Sequence, residues 1–276
     1  MKRLLIAGFG DVARRLLAQL PDGTEVRPIS RRSGHDLDRP ETLTDIAGWP
    51  EMVLHCAPPP GAGDGDPRTA NLLAILERGI LPGRFVYVST SGVYGDCGGA
   101  QVDESRAPNP QSARAKRRVD AERRLGDWCA RHGIILLVLR APGIYAAERL
   151  PLERLRAGTP VLRDEDDIYT NHIHADDLAA AALRALAPNT PGGVYNASDD
   201  TRMKMGAWMD LVAEHAGLPR PPRVARREAE GRIPAGLLSF MNESRRLDNR
   251  KLKETLGVRL RYPTVRDGLA RARRPD

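Results

Sequence analysis

Short apolar runs alternate along this chain with stretches of helical period, the arrangement of a parallel α/β sheet. The runs Arg3–Ala7, Thr24–Ile29, Met52–Cys56, Arg84–Ser89 and Ile134–Arg140 predict strands. Between the first two, Asp11–Leu20 places Val12, Ala13, Leu16, Leu17 and Leu20 on one helical face, and Pro21-Asp22-Gly23 ends the pattern. A second helix is expected over Arg68–Arg78, where Ala70, Leu73 and Leu76 repeat at helical spacing before Gly79. A third is expected over Ser112–Ala130. Beyond Tyr145 the regularity weakens. Helices are expected over Leu150–Gly158 and Ala175–Leu186, a returning strand over Gly193–Ala197, and helices near 205–216, 249–256 and 264–273. The pattern divides the chain into a sheet-bearing part, residues 1–145 and about 170–197, and a smaller lobe from about 146–169 and 198–276.

Composition narrows this picture. At 276 residues and 41% hydrophobic, the chain can bury a substantial core, and no apolar run approaches the ~20 residues a membrane span needs. The opening MKRLLIAGFGDVA is apolar with a basic flank, but Asp11 interrupts it too early for a secretory leader, so a strand and a cytoplasmic location are expected. Cys56, Cys97 and Cys129 have no C-x-x-C spacing, which argues against a zinc site or a disulfide framework; no metal is expected. The net charge of +7 raises the question of nucleic acid. However, only five of the 43 basic residues are lysines, and the arginines are scattered among acids. Aromatics at 4% leave little for base stacking. A small-molecule partner fits better than nucleic acid.

The first strand runs directly into Gly8-Phe9-Gly10-Asp11-Val12-Ala13, a G-x-G-x-x-A. In such a turn Gly8 permits the tight bend, Gly10 lets backbone approach a pyrophosphate, and Ala13 lets the helix pack closely on the strand. Its position after a strand and before an amphipathic helix gives the motif its weight. The end of the second strand reads Ser30-Arg31-Arg32, where an enzyme preferring NAD would carry an acid for the ribose hydroxyl. A hydroxyl and two guanidiniums suit a 2′-phosphate, so NADP is favoured, with NAD as the alternative.

The runs GFGDVA (8–13), HCAPPP (55–60), VYVSTSGVYGD (86–96), LRAPGIY (139–145), NHIHADDLAAA (171–181) and VYNASDD (194–200) together resemble the short-chain dehydrogenase/reductase superfamily in its extended or atypical form, the NAD-dependent epimerase/dehydratase family. The resemblance implies a Rossmann-type doubly wound parallel sheet with a small C-terminal substrate lobe. It implies that Ala57 and Pro58 pass close to the cofactor and that Thr90, with Ser91 beside it, bonds the substrate carbonyl or hydroxyl. It also implies that Pro142, Gly143 and Ile144 lie against the nicotinamide. Asn171 and His174 are expected to brace the two lobes, and Asp176 or Asp177 to cap the following helix. Family relatives often dimerise through the third helix, which here carries Arg117, Arg118, Arg123 and Arg124, so both monomer and homodimer stay open.

The departure lies in QSARAKRRVDAE (111–122), where the family reads Tyr-x-x-x-Lys-x-x-x-Glu. Anchoring on Glu122 puts Arg118 at the lysine and Arg114 at the tyrosine; a competing register takes Ser112 and Lys116. Arginine does not exchange protons near neutrality, so the usual relay cannot run on Arg114 and Arg118, although both can grip anions or ribose hydroxyls. Three readings follow. The first is an NADP-dependent reductase acting on a small carbonyl or hydroxyl compound, with its proton from Tyr94, Tyr145 or a water held by Thr90. The second is a non-catalytic NADP(H)-binding sensor or regulatory protein. The third is a nucleotide-sugar epimerase or dehydratase. Arg202, Arg245 and Arg246 could enter the cleft and select a phosphate or carboxylate.

Overall fold

In a computed structural model that describes residues 2–272, strand β1 (Lys2–Ala7) buries four consecutive residues, Leu4 to Ala7. Alternation of the pleat sends Leu4 and Ile6 to one face and Leu5 and Ala7 to the other, and each face has its own hydrophobic cluster. A continuous apolar run is what a strand covered on both sides requires. The other sheet strands are β2 (Thr24–Ile29), β3 (Met52–His55), β4 (Arg84–Thr90), β5 (Ile135–Ala141) and β6 (Gly193–Asn196). They form one parallel sheet in the order β6-β5-β4-β3-β1-β2. After β1 the chain steps to one side, and β3 then returns to the other. The strand order therefore reverses between β1 and β3, where doubly wound sheets open a crevice at their carboxyl ends.

Helices α1 (Asp11–Leu17) and α4 (Ala175–Leu186) cover one face, and α2 (Pro67–Leu76) and α3 (Ala113–His132) the other. Three expectations change here. α1 ends at Leu17, and Leu17 itself is 43% exposed, because the buried face is centred on Ala13 and Leu16. α2 starts at Pro67, with the Asp66 carboxylate accepting from the amides of Arg68 and Thr69. The cap of α4 is likewise not an aspartate: His174 Nδ1 accepts from the Asp176 amide, while Asp177 accepts from the amides of Arg261 and Tyr262.

A separate cluster gathers Tyr145, Leu155, Val161, Trp208, Met209, Val212 and Met241 around helix α5 (Met205–Ala216). The expected helix near 264–273 spans Val265–Arg271; residue 273 lies outside the described residues. The remaining strands here are two or three residues long, as in Gln101–Val102 beside Arg246–Leu247 and Tyr169–Thr170 against Met203–Lys204. Among the described residues no helix is long and apolar enough to cross a membrane.

Candidate active site

The crevice at the β1/β3 switch has a volume of about 390 Å³. Its floor is the run Gly8–Ala13, and Pro58, Thr90, Arg118, Pro142 and Ile144 close it. Gly8 has φ +88, and a Cβ there would stand 2.4 Å from the Ala57 nitrogen, so only glycine fits. Ala57 therefore backs the turn rather than lining the crevice. Gly10, the N-cap of α1, has the opposite surroundings: a Cβ on it would meet nothing within 4 Å. That open space beside bare backbone is the form a dinucleotide pyrophosphate would need. At the rim, Asp11 bonds Arg15 at 3.0 Å and Arg149 at 3.3 Å, and Arg15 also pairs with Asp176 and Glu148. Ser30, Arg31 and Arg32 do not line the crevice. They follow β2 directly beside it, where the Gly8 amide donates to the Ile29 carbonyl. The Ser30 hydroxyl accepts from the Ser33 amide in a local capping box, and Arg31 and Arg32 are exposed without an ion pair among the described residues. Asp38, the acid on this edge, is held by Arg68 through bonds of 2.8 and 2.6 Å, which keeps its carboxyl below the usual range.

A second cavity of about 320 Å³ opens on the other side of Thr90 and Pro142, which line both spaces. Ser91, Gly143, Arg114, Arg154, Glu243 and Arg245 line it, together with Ile168, Met205, Leu237 and Phe240. The Arg114/Arg118 register is the one that reaches these spaces: Arg118 lines the crevice and Arg114 the cavity, whereas Lys116 is exposed and Ser112 lines neither. One helical turn between them sets one guanidinium on each side of the shared edge. Arg118 Nη1 donates to the Tyr87 hydroxyl (2.9 Å) and the Val88 carbonyl (3.0 Å). Arg114 Nη1 donates to Ser239 Oγ (3.0 Å), and its guanidinium lies 3.3 Å from the centre of the Phe240 ring.

Behind both spaces Glu122 accepts from Ser89 Oγ (2.5 Å) and from Arg140 (3.2 and 2.7 Å) in a buried pair. The glutamate that anchors the register thus ties α3 to β4 and β5.

Neither tyrosine considered as a proton source reaches the site. Tyr94 is fully buried, its hydroxyl donating to Asn196 Oδ1 at 2.9 Å and its ring under Arg140. Tyr145 donates to the Thr264 carbonyl at 3.2 Å within the α5 cluster, and burial pushes its hydroxyl pKa up. Both sit in cores because their rings fill apolar space, and neither lines the crevice or the cavity. Asn171 does brace distant segments, donating to the Arg245 carbonyl and accepting from the Leu247 amide. His174 stacks on Tyr262 with centroids 3.8 Å apart. Of the C-terminal arginines, Arg245 enters the cavity. Arg246 instead bonds the Gly99 carbonyl against Tyr169, and Arg202 is exposed and lines neither space. Sequence reasoning missed Arg154, Tyr169, Glu243 and, in the crevice, Ser89 and Arg149. Ser89 is the first residue of the STSG run and was within reach; Arg154 sits on a helix of five residues that carries no signal of its own.

The family model for the NAD dependent epimerase/dehydratase family matches residues 67–198. A GDP-6-deoxy-D-mannose reductase of Pseudomonas aeruginosa is 27% identical over 248 residues, 78% of this chain and 80% of the relative. A 3-diazoavenalumate denitrifying reductase of a Streptomyces species is 26% identical over 85% of this chain and 84% of its own length. Among solved structures, a functionally unknown conserved protein from Silicibacter pomeroyi is 31% identical with TM-score 0.78, covering 98% of this chain and 97% of that one. RMD from Pseudomonas aeruginosa complexed with NADPH is 21% identical with TM-score 0.75, covering 98% and 97%, and so shares the fold. With its switch-point crevice and its glycine turn, the chain has the fold of these solved structures, and over residues 67–198 it is similar to the NAD dependent epimerase/dehydratase family.

Proposed function

We propose that the protein is a nicotinamide-dinucleotide-dependent reductase of a small carbonyl compound, with NADPH preferred. The observation that carries this reading is the shared edge: a crevice shaped for a dinucleotide and a cavity sized for a small molecule meet at Thr90 and Pro142. The part comprising residues 1–145 and about 170–197 would hold the nucleotide, and the smaller lobe would close the cavity. Gly8–Val12 would take the pyrophosphate, Arg118 a ribose or phosphate, and Pro142 and Ile144 the ring. When bound, the reduced nucleotide supplies a hydride to the carbonyl carbon. Thr90 and Ser91 hold the carbonyl oxygen, and Arg114 stabilises the negative charge that grows on it without giving up a proton. The proton that completes the alcohol comes from water or from Tyr169, which lines the cavity with Thr90, since arginines stand at the positions of the usual tyrosine and lysine. A relative that binds NADPH and two relatives named as reductases support the reading.

Titrating NADPH and NADH while following nucleotide fluorescence tests the site. The double variant Arg31→Ala/Arg32→Ala should weaken NADPH about tenfold and NADH little; equal weakening would refute the NADP preference. Oxidation of NADPH by a panel of carbonyl compounds then tests turnover. One observation favours a second reading, a non-catalytic NADP(H) sensor: Tyr94 and Tyr145 are both sealed in cores. Tight NADPH binding, no turnover with any carbonyl, and no effect of Thr90→Ala would select it.

A further inference from the structure

The charges around the second cavity do not balance. Three guanidiniums line it, those of Arg114, Arg154 and Arg245, against one carboxylate, Glu243. Glu243 is spent on Arg245, whose Nη1 lies 3.0 Å away and also donates to the Gly95 carbonyl. Arg245 is 9% exposed, yet its Nε has no acceptor among the described residues. Arg154 is left further from satisfaction: Nε and Nη2 are both buried without a partner. Burial alone pulls the Arg154 guanidinium below its ordinary pKa, the direction expected of a cation that has lost water and gained no anion, and burial lowers Arg114 as well although Glu243 partly offsets it. Buried donors without partners are costly, and native proteins keep few of them outside functional sites. The rest of the wall is apolar, with Ile168, Met205, Leu237 and Phe240 facing the same space.

We propose that this cavity binds a small oxo acid, its carboxylate held by Arg154 and Arg245, its apolar body against Leu237 and Phe240, and its carbonyl at Thr90. This names the substrate class of the reductase proposed above and rests on that reading for the role of Thr90. A carboxylate matches the planar fork of a guanidinium. A cavity of about 320 Å³ lies at the small end of ligand sites, which suits a compact acid better than a nucleotide sugar.

The test is calorimetric titration of the NADP+-loaded protein with pyruvate, benzoylformate and phenylpyruvate. Their methyl esters, inorganic phosphate and UDP-glucose serve as comparisons. At least one acid should bind, and its ester at least tenfold more weakly. Arg154→Gln should cut the acid's affinity at least tenfold while NADP+ affinity, measured on the same sample, stays within twofold and reports an intact fold. Arg154→Lys should restore part of the loss. The inference is overturned if none of the three acids binds, if ester and acid bind alike, if phosphate or UDP-glucose binds in their place, or if Arg154→Gln changes nothing. A protein that binds NADP+ but no oxo acid loses this inference alone. One that binds the acid without binding NADP+ or NADPH loses the reductase reading instead.

Discussion

Six consecutive residues, Gly8 to Ala13, make the floor of the crevice, whereas the cavity across Thr90 draws its charged groups from positions 114, 154, 243 and 245. The crevice is local: one strand end, one turn and one helix start fix its shape, and the surrounding sheet only has to hold β3 close behind Gly8. The cavity exists only once the C-terminal segments have packed, with the Asn171 side chain tied to the backbone of Arg245 and Leu247 and the 240–243 turn under Arg114. A cofactor site of this kind can persist while the chemistry beside it is rebuilt, because few residues serve both. Substitution at 114 alters the cavity and substitution at 118 the crevice, although one helix turn carries them both.

The largest expected effect comes from what the two regions share. Glu122 joins Ser89 on the crevice wall to Arg140 on β5, and both side chains of the ion pair are at most one-tenth exposed. Glu122→Ala leaves a buried guanidinium unpaired and should cost about 3–5 kcal/mol in urea unfolding, as breaking one partner of a buried pair does. Glu122→Leu/Arg140→Met should recover most of it; failure to recover would mean that the pair is needed for more than mutual neutralisation. The next effect separates the regions. Gly8→Ala adds a Cβ 2.4 Å from the Ala57 nitrogen at φ +88, a strain of about 1–3 kcal/mol before the clash is counted. Nucleotide fluorescence should show affinity reduced on the order of 100-fold, about 2.7 kcal/mol, while binding of an acid in the cavity persists. Loss of both would show that the two sites fold as one.

The same contrast explains what the sequence made legible. Strands buried on both faces read as apolar runs, and α5 at 205–216 and α4 at 175–186 were bounded correctly because each repeats its buried positions over three turns. The two-residue strands, such as Gln101–Val102, carry no period, and their pairing to 246–247 depends on contacts across more than a hundred residues. The glycine turn was legible because its chemistry is contiguous. Arg154 and Glu243 were not, since only three-dimensional packing sets them around one space. Tyr94 misled for a related reason: its place after STSGV fits a site residue, yet the short 3-10 turn Ser91–Tyr94 rotates its ring into the core against Val93 and Val102.

The pH dependence of stability should also divide. Burial raises the Asp199 carboxyl to about 8, with one oxygen lacking a partner, and lowers His55 and His172 to about 3. For the histidines the unfolded chain binds more protons below pH ~6.5, so their contribution is lost as pH falls from there toward 3. For Asp199 the folded protein holds a proton that the unfolded chain releases from pH ~4 upward, so stability is lost as pH rises toward 8. Between pH 6.5 and 8 only the Asp199 term of the three operates, at up to ~1.4 kcal/mol per unit, or about 2 kcal/mol in all. Asp199→Asn should flatten that arm in denaturant titrations at pH 6.5, 7.25 and 8, and steepen the acid arm between pH ~4 and 6.5, where the Asp199 and histidine contributions oppose each other. An unchanged alkaline arm would show that Asp199 is ionised in the folded protein.

The smallest effect bears most directly on the contrast between crevice and cavity. Arg118→Ala removes a guanidinium from the crevice, along with its bonds to Tyr87 and Val88, and should weaken NADPH about tenfold, roughly 1.4 kcal/mol. It should leave the affinity of an acid in the cavity within twofold. Arg114→Ala should do the reverse: NADPH binding unchanged, and turnover of a carbonyl substrate lowered about tenfold in kcat with a smaller change in KM, because charge growing on the carbonyl oxygen is a transition-state interaction. Arg114→Lys keeps the charge but loses the flat stacking on Phe240, so an intermediate kcat is expected. Measuring both constants for both variants gives four numbers. If each substitution moves both constants equally, the helix turn from 114 to 118 acts as one unit, and the division between crevice and cavity fails at its own boundary.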